Sequence, residues 1–176
     1  MLVEPGQAPA PFAVTAAPAG ELRPARAEDA PAIHALIQAH LEEGHLLPRN
    51  LDELSVRAPR FVVAVLGDRI VACAELAPLS ARVAEVRSLV VHADVRHEGL
   101  GGQLVEALRR RARLQGFETL CAFTHGPGFF VRLGFTIVPH HWVREKILAD
   151  CQSCRLFRRC GQHALMLPLQ SRRAAA

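Results

Sequence analysis

The sequence predicts a mixed α/β domain, and three observations carry that reading. Two apolar, β-branched runs, Phe61–Leu66 and residues 70–76, flank the turn pair Gly67-Asp68 and make a β-hairpin. A further strand over Val83–Val91 runs into a loop that holds Gly99, Gly101 and Gly102. Behind that loop Leu104, Leu108 and Ala112 recur at four-residue intervals with Val105 beside them, the period of an amphipathic helix.

The remaining elements follow in chain order. Residues 21–26 alternate and contain Pro24, which suits an edge strand because proline donates nothing to a ladder. Glu28-Asp29 with Pro31 opens a helix whose apolar positions are Ile33, Leu36, Ile37 and Leu41, with Gly44 as its stop. Asn50 caps a short helix through residues 51–54. The glycine-loop helix runs to about Gln115, where Gly116 ends it. Residues 119–123 form a short buried strand, 128–133 a short helix closed by Gly134, and 135–138 another strand. The apolar run 164–167 completes the sheet. No repeat or linker divides the chain, so one domain is expected over residues 21–169, with flexible tails at 1–20 and 170–176.

Of the 176 residues 50% are hydrophobic and 22% charged, which suits a packed globular chain and excludes a mostly disordered one. The net charge of +4 fits a small polyanionic ligand better than nucleic acid, because one Trp and no Tyr leave few platforms for stacking bases. No apolar run reaches the ~20 residues that span a bilayer. The Ala- and Pro-rich start lacks the basic and continuous apolar regions of an export signal. Five cysteines without such a signal point to a reducing cytoplasm, with Cys73 and Cys121 as small core hydrophobes.

The stretch Arg96-His97-Glu98-Gly99-Leu100-Gly101-Gly102 opens a helix directly after a strand. Amides at a helix N-terminus lack intrahelical partners and carry the positive end of the dipole, so they receive a pyrophosphate. Gly99 and Gly101 let the ligand approach the backbone. The spacing meets neither the Gly-Lys-Ser/Thr nor the three-glycine dinucleotide pattern, which argues against an NTPase or a dehydrogenase.

Arg96-His97-Glu98-Gly99-Leu100-Gly101 is similar to the Arg-x-x-Gly-x-Gly signature of the GNAT acetyltransferase superfamily, and residues 129–135 resemble its second hallmark. Residues 85–91, the Leu46-Leu47-Pro48-Arg49 loop and the cysteine-bearing stretch 151–163 resemble the short N-acetylglutamate synthases, over about residues 22–167. His97 stands where that loop often has glycine. The resemblance implies a mixed sheet with flanking helices whose fourth and fifth strands splay apart. It implies acetyl-CoA as co-substrate, a small amine or amino-acid acceptor, glutamate first, and a place in arginine biosynthesis. It involves neither nucleic acid nor membrane, and it admits a homodimer.

On that resemblance Leu89, Val90 and Val91 bind the cofactor, with the backbone amide of Leu89 or Val91 bonding the thioester carbonyl, residues 96–102 hold the pyrophosphate, and Phe130 stands where many relatives have a Tyr general acid. A thiol with a pKa near ~8.5 leaves without such an acid. Glu85, or Glu75 beside it, is the candidate base, against the alternative of outward carboxylates on alternating strands. Arg49, Arg87 and Ser88 are candidates for an acidic substrate's carboxylates, since a guanidinium binds carboxylate bidentately. Structural ion pairs are the alternative for both arginines. Arg109, Arg110 and Arg113 read first as a solvated helix face. Cys151, Cys154, Cys160 and His163 suggest either a zinc set or packed, redox-responsive thiols, with His163 alternatively a plain strand residue and no metal assigned. Further readings are an acetyltransferase of the same fold that acts on another amine or on protein, and a degenerate acyl-CoA sensor that binds without turnover.

Overall fold

Among the described residues seven strands form one sheet in the order β1-β2-β3-β4-β5-β7-β6. The computed structural model describes residues 20–43, 46–152, 154 and 157–169. The strands are β1 (Glu21–Pro24), β2 (Phe61–Leu66), β3 (Arg69–Pro78), β4 (Val83–Val91), β5 (Thr119–Thr124), β6 (Thr136–Val138) and β7 (His163–Pro168). The helices are α1 (Ala30–Gln38), α2 (Leu51–Arg57), α3 (Leu100–Leu114), α4 (Gly128–Arg132) and α5 (Arg144–Lys146), the last running on as a π-turn through Ile147–Cys151.

Most local expectations hold. β1 is an edge strand paired with β2, and Gly67, at φ 59°, turns the hairpin. Asn50 caps α2 by accepting from the amides of Asp52 (2.7 Å) and Glu53 (3.4 Å), and α2 runs three residues beyond the expected end, to Arg57. Gly116 and Gly134 have φ of 83° and 89° where α3 and α4 end. The first helix is shorter than its periodicity suggests. It ends at Gln38, and Leu41 lies in a separate 3₁₀ turn over Leu41–Glu43. The expected stop Gly44 and the C-terminal tail lie outside the described residues. So does the N-terminal tail except Gly20, which is buried beside β2.

The sheet is covered on both faces. Leu100, Leu104, Val105 and Leu108 of α3 pack with Val62, Leu76 and Leu120 on one face. Ile33 and Ile37 of α1 pack with Leu54, Phe61 and Val63 on the other. Each of these buried leucines and isoleucines contributes about 2 kcal/mol of apolar transfer. Cys73 and Cys121 are fully buried among these clusters. Burial pushes the Cys73 thiol up to about 12 and the Cys121 thiol up as well, so both are inert core residues.

What positions the site is the middle of the sheet. β4 and β5 are parallel and pair only from Val83↔Thr119 to Val86↔Ala122, after which β4 continues without β5. On its other edge β4 pairs with β3, but the register jumps between Val90↔Cys73 and Arg87↔Glu75. One extra β4 residue is accommodated there, and Ser88 takes a φ of 48° at the bulge.

Candidate active site

The splay of β4 from β5 opens a cleft of about 940 Å³. The Arg87–Val91 stretch, the loop before α3, α4, and Lys146 and Asp150 of the C-terminal helical segment line it. The His92 amide donates to the Val71 carbonyl of β3 (2.8 Å), so the alternation of an antiparallel strand turns the Val91 amide toward the side β5 has left. Leu89, Val90 and Val91 all border the cleft.

The glycine loop has the geometry of an anion cradle. Gly99 sits at φ 82° at the start of α3, and the first intrahelical bond runs from the Gln103 amide to the Gly99 carbonyl (3.1 Å). The amides of Leu100, Gly101 and Gly102 therefore have no partner within the helix. A Cβ on Gly101 would crowd the Phe129 ring at 3.3 Å, so glycine suits the close packing of loop, β4 and α4. His97 has a φ of 70°, the left-handed conformation that explains why glycine suits this place. Its backbone is strained, yet it borders the cleft.

Arg96 borders the cleft, and its side chain also anchors the loop. Its Nε donates to the Val91 carbonyl (3.1 Å) and Nη2 pairs with Glu43 (2.6 Å), so the guanidinium ties the loop to β4 and to the turn after α1. Glu98 is exposed and does not border the cleft, and the Leu100 side chain is core. Phe130 is buried in an edge-to-face stack with Phe129 and Phe135. No hydroxyl stands at that place, because the residue is a packed phenyl ring.

Two networks lie beneath the cleft. In the first, Arg49 Nη1 donates to Ser88 Oγ (3.0 Å), and Nη2 donates to Glu75 Oε2 (3.0 Å) and Glu53 Oε1 (3.2 Å). Glu75 is fully buried and does not border the cleft, so it is the counter-ion of Arg49 rather than a base within reach of substrate. Arg49 is largely committed to this pair, which is the structural alternative for it.

In the second network Glu85, only 3% exposed, projects into the cleft. The outward-facing alternative therefore does not hold for it. Lys146 Nζ lies 2.9 Å from Glu85 Oε1 and 2.9 Å from Asp150 Oδ2, and its ammonium stands 5.3 Å from the centre of the Phe123 ring. Arg87 donates through Nε to Glu85 and through Nη2 to Asp150. Burial disfavours the Arg87 cation, but Glu85 and Asp150 outweigh it and hold the guanidinium above its ordinary value.

Lys146 and Asp150 are the site residues that sequence reasoning missed. A signal was present: Lys146 is the one lysine in a chain whose other twenty basic side chains are arginine. An ammonium offers three donors from one point, which suits a carboxylate pair that a planar guanidinium alone would not span.

The helix and cysteine expectations resolve simply. Arg109 pairs with Glu106 (3.5 Å), while Arg111 donates to the Pro59 carbonyl. Cys154 and Cys160 are exposed and Cys151 is half-buried, its thiol raised mainly by burial. Among the described residues no group of three His, Cys, Asp or Glu is gathered as a metal would require. His163 is the first residue of β7 and pairs with Thr124. Among the described residues no helix is long and apolar enough to cross a membrane.

Comparison with known proteins agrees with this architecture. A family model described as an acetyltransferase (GNAT) domain matches residues 57–137. An uncharacterized N-acetyltransferase of Chlorobaculum tepidum is 29% identical over 148 residues, covering 84% of this chain and 96% of that protein. The amino-acid acetyltransferase of Azotobacter vinelandii is 32% identical over 127 residues, 72% of this chain but 27% of that protein, so the chain spans about a quarter of that relative's length. The N-acetylglutamate synthase of Neisseria gonorrhoeae, solved with coenzyme A and N-acetyl-glutamate, superposes with a TM-score of 0.76 at 26% identity, covering 85% of this chain and 35% of that one. A Mycobacterium tuberculosis protein solved in complex with CoA superposes at 0.72 with 25% identity, covering 85% of this chain and 99% of that one. With the splayed β4 and β5, the bulge at Ser88 and the glycine cradle before α3, the chain carries a GNAT acetyltransferase domain over residues 57–137.

Proposed function

We propose that this enzyme transfers acetyl from acetyl-CoA to the amino group of a small acidic amino acid, L-glutamate in the first instance, in the service of arginine biosynthesis. One observation carries the reading: two cations, Arg87 and Lys146, flank a buried carboxylate, Glu85, at the mouth of the splay. An amino acid is recognised by groups of this kind, with cations for its carboxylates and an acceptor for its amine proton. The names of the amino-acid acetyltransferases and the ligands of the Neisseria structure support the same acceptor.

Acetyl-CoA fits the residues present. The amides of Leu100, Gly101 and Gly102, without partners in the helix, are suited to its pyrophosphate. The amine nitrogen attacks the thioester carbonyl, a C–N bond forms, and the C–S bond breaks to release a thiolate. The Val91 amide is oriented to stabilise the intermediate oxygen, a contribution of about 3 kcal/mol where such donors have been removed elsewhere. Glu85 takes the amine proton directly or through water. Protonation of the thiolate needs no side-chain acid, in keeping with the phenyl ring at Phe130.

A thiol-release assay with acetyl-CoA, run across the amino acids and polyamines, tests the reading. Release with glutamate and its close analogues is expected. Release only with other amines would move the acceptor elsewhere, and binding of acetyl-CoA without release would refute turnover.

A further inference from the structure

The second network holds two cations and two anions, and its anions are not equivalent. Glu85 is built into β4 in its paired half, at Glu85↔Cys121, with a side chain only 4% exposed. Asp150 sits in the π-turn Ile147–Cys151, with a side chain 38% exposed and facing the cleft. A π-turn is a rare departure from helical geometry and concentrates at functional sites. Here it brings a single carboxylate oxygen, Asp150 Oδ2, onto both Arg87 Nη2 and Lys146 Nζ.

That arrangement differs from an ordinary structural ion pair. Lys146 and Asp150 are four residues apart on one segment and need no outside partner to pair. Arg87, however, comes from β4, sixty-three residues away, and points its outer nitrogen up to the same oxygen. Glu85 spans the two cations from below and Asp150 caps them from the cleft side. Arg87 and Lys146 are therefore fully paired before any substrate arrives, and the partner that solvent and ligand reach is Asp150.

We propose that Asp150 occupies the seat of a substrate carboxylate, and that an acidic acceptor binds by displacing it from Arg87 and Lys146. The assignment rests on the amino-acid reading above and adds the residue that sets its selectivity. A neutral or cationic amine has nothing to offer the two cations in exchange for Asp150 and is disfavoured. An anionic acceptor restores both contacts, while Glu85 stays in place beside its amine. The carboxylate that is displaced swings into solvent, where hydration compensates it.

The sign of one substitution separates this from a positioning role. Asp150→Asn in the full chain keeps size and some hydrogen bonding but loosens the hold on the cations. Under the proposal the KM for L-glutamate falls about three- to ten-fold, the range of a partly exposed ion pair. The KM for acetyl-CoA and the melting temperature stay near those of the wild type. Were Asp150 there to aim Arg87 and Lys146, the same change would raise the KM for glutamate. Asp68→Asn in the exposed hairpin turn removes one negative charge elsewhere and should change neither constant.

Calorimetric titration with glutarate, a dicarboxylate with no amine to acetylate, reads the seat apart from turnover. Tighter glutarate binding in Asp150→Asn than in wild type supports the proposal even if another amine proves to be the acceptor. Glutarate binding that is equal or weaker in the variant overturns it, even if glutamate is acetylated by both proteins.

Discussion

The Lys146 ammonium bridges both oxygens of Glu85, at 2.9 and 3.0 Å, across sixty-one residues of sequence. It joins the C-terminal helical segment to the strand that borders the acetyl-transfer cleft. The proton acceptor we assign is thus fixed in orientation by the same groups that we assign to substrate carboxylates. On that assignment, the amine and carboxylates of one acceptor would be read by a single hydrogen-bonded unit.

Glu85→Gln should lower kcat about 10²-fold or more while leaving the KM for acetyl-CoA unchanged, because an amide keeps the shape but takes no proton. Steady-state kinetics with thiol detection measure both. A pH–rate profile identical to that of the wild type would remove Glu85 from the proton path.

The glycine loop before α3 offers an opposed pair. Gly99→Ala at φ 82° places a Cβ in ordinary contact with Gln103 Nε2 at 4.0 Å, so its cost is mainly backbone strain, about 1–2 kcal/mol of stability with weaker acetyl-CoA binding. His97→Gly at φ 70° relieves similar strain against a glycine entropy cost of about 0.5–1 kcal/mol, and should melt no lower than wild type. Thermal unfolding of both variants, with and without acetyl-CoA, checks the pair.

Arg49→Met should destabilise by about 3–5 kcal/mol, since Glu75 is left as an unpaired charge with no exposure. Adding Glu75→Leu should recover most of that loss, because an apolar pair of similar volume is tolerated where a lone ion is not. Denaturant titrations of the two proteins decide it. A single variant as stable as wild type would show that water reaches Glu75.

Near β1 the Asp29 carboxylate accepts from Arg23 Nη1 (2.6 Å), Arg23 Nη2 (2.9 Å) and the Arg26 amide (2.7 Å). The Arg23 bond, outweighing burial, holds Asp29 below the usual carboxylate range. Its contribution is complete above its unfolded value near ~3.9 and disappears as pH falls through the lower folded value. Asp29→Asn should therefore cost about 1–2 kcal/mol at neutral pH, and its stability should converge with that of wild type in strong acid.

Much of this was legible because it is local. The hairpin around Gly67, the cap at Asn50 and the stops at Gly116 and Gly134 each depend on the conformational preferences of one or two residues, which any chain displays in its own sequence. The glycine cradle was legible for the same reason. A strand, a glycine loop and a helix start form an anion site within a dozen residues, whatever the rest of the chain does.

The site's long-range charge pairs were decided by tertiary structure alone. Nothing along the chain says that Arg49 meets Glu75 or that Arg87 meets Asp150, since these contacts span 26 and 63 residues and any arginine suits any carboxylate, whereas Glu85 and Arg87, two apart on one strand, share a face by alternation. The bulge at Ser88 depends on the register between β3 and β4, which two apolar strands leave open until both pack against helices. The sequence by itself determined an α/β fold with a glycine loop at a helix start. Only the packed sheet, by parting β5 from β4 and bringing Lys146 and Asp150 to the opening, decided which charges line the cleft.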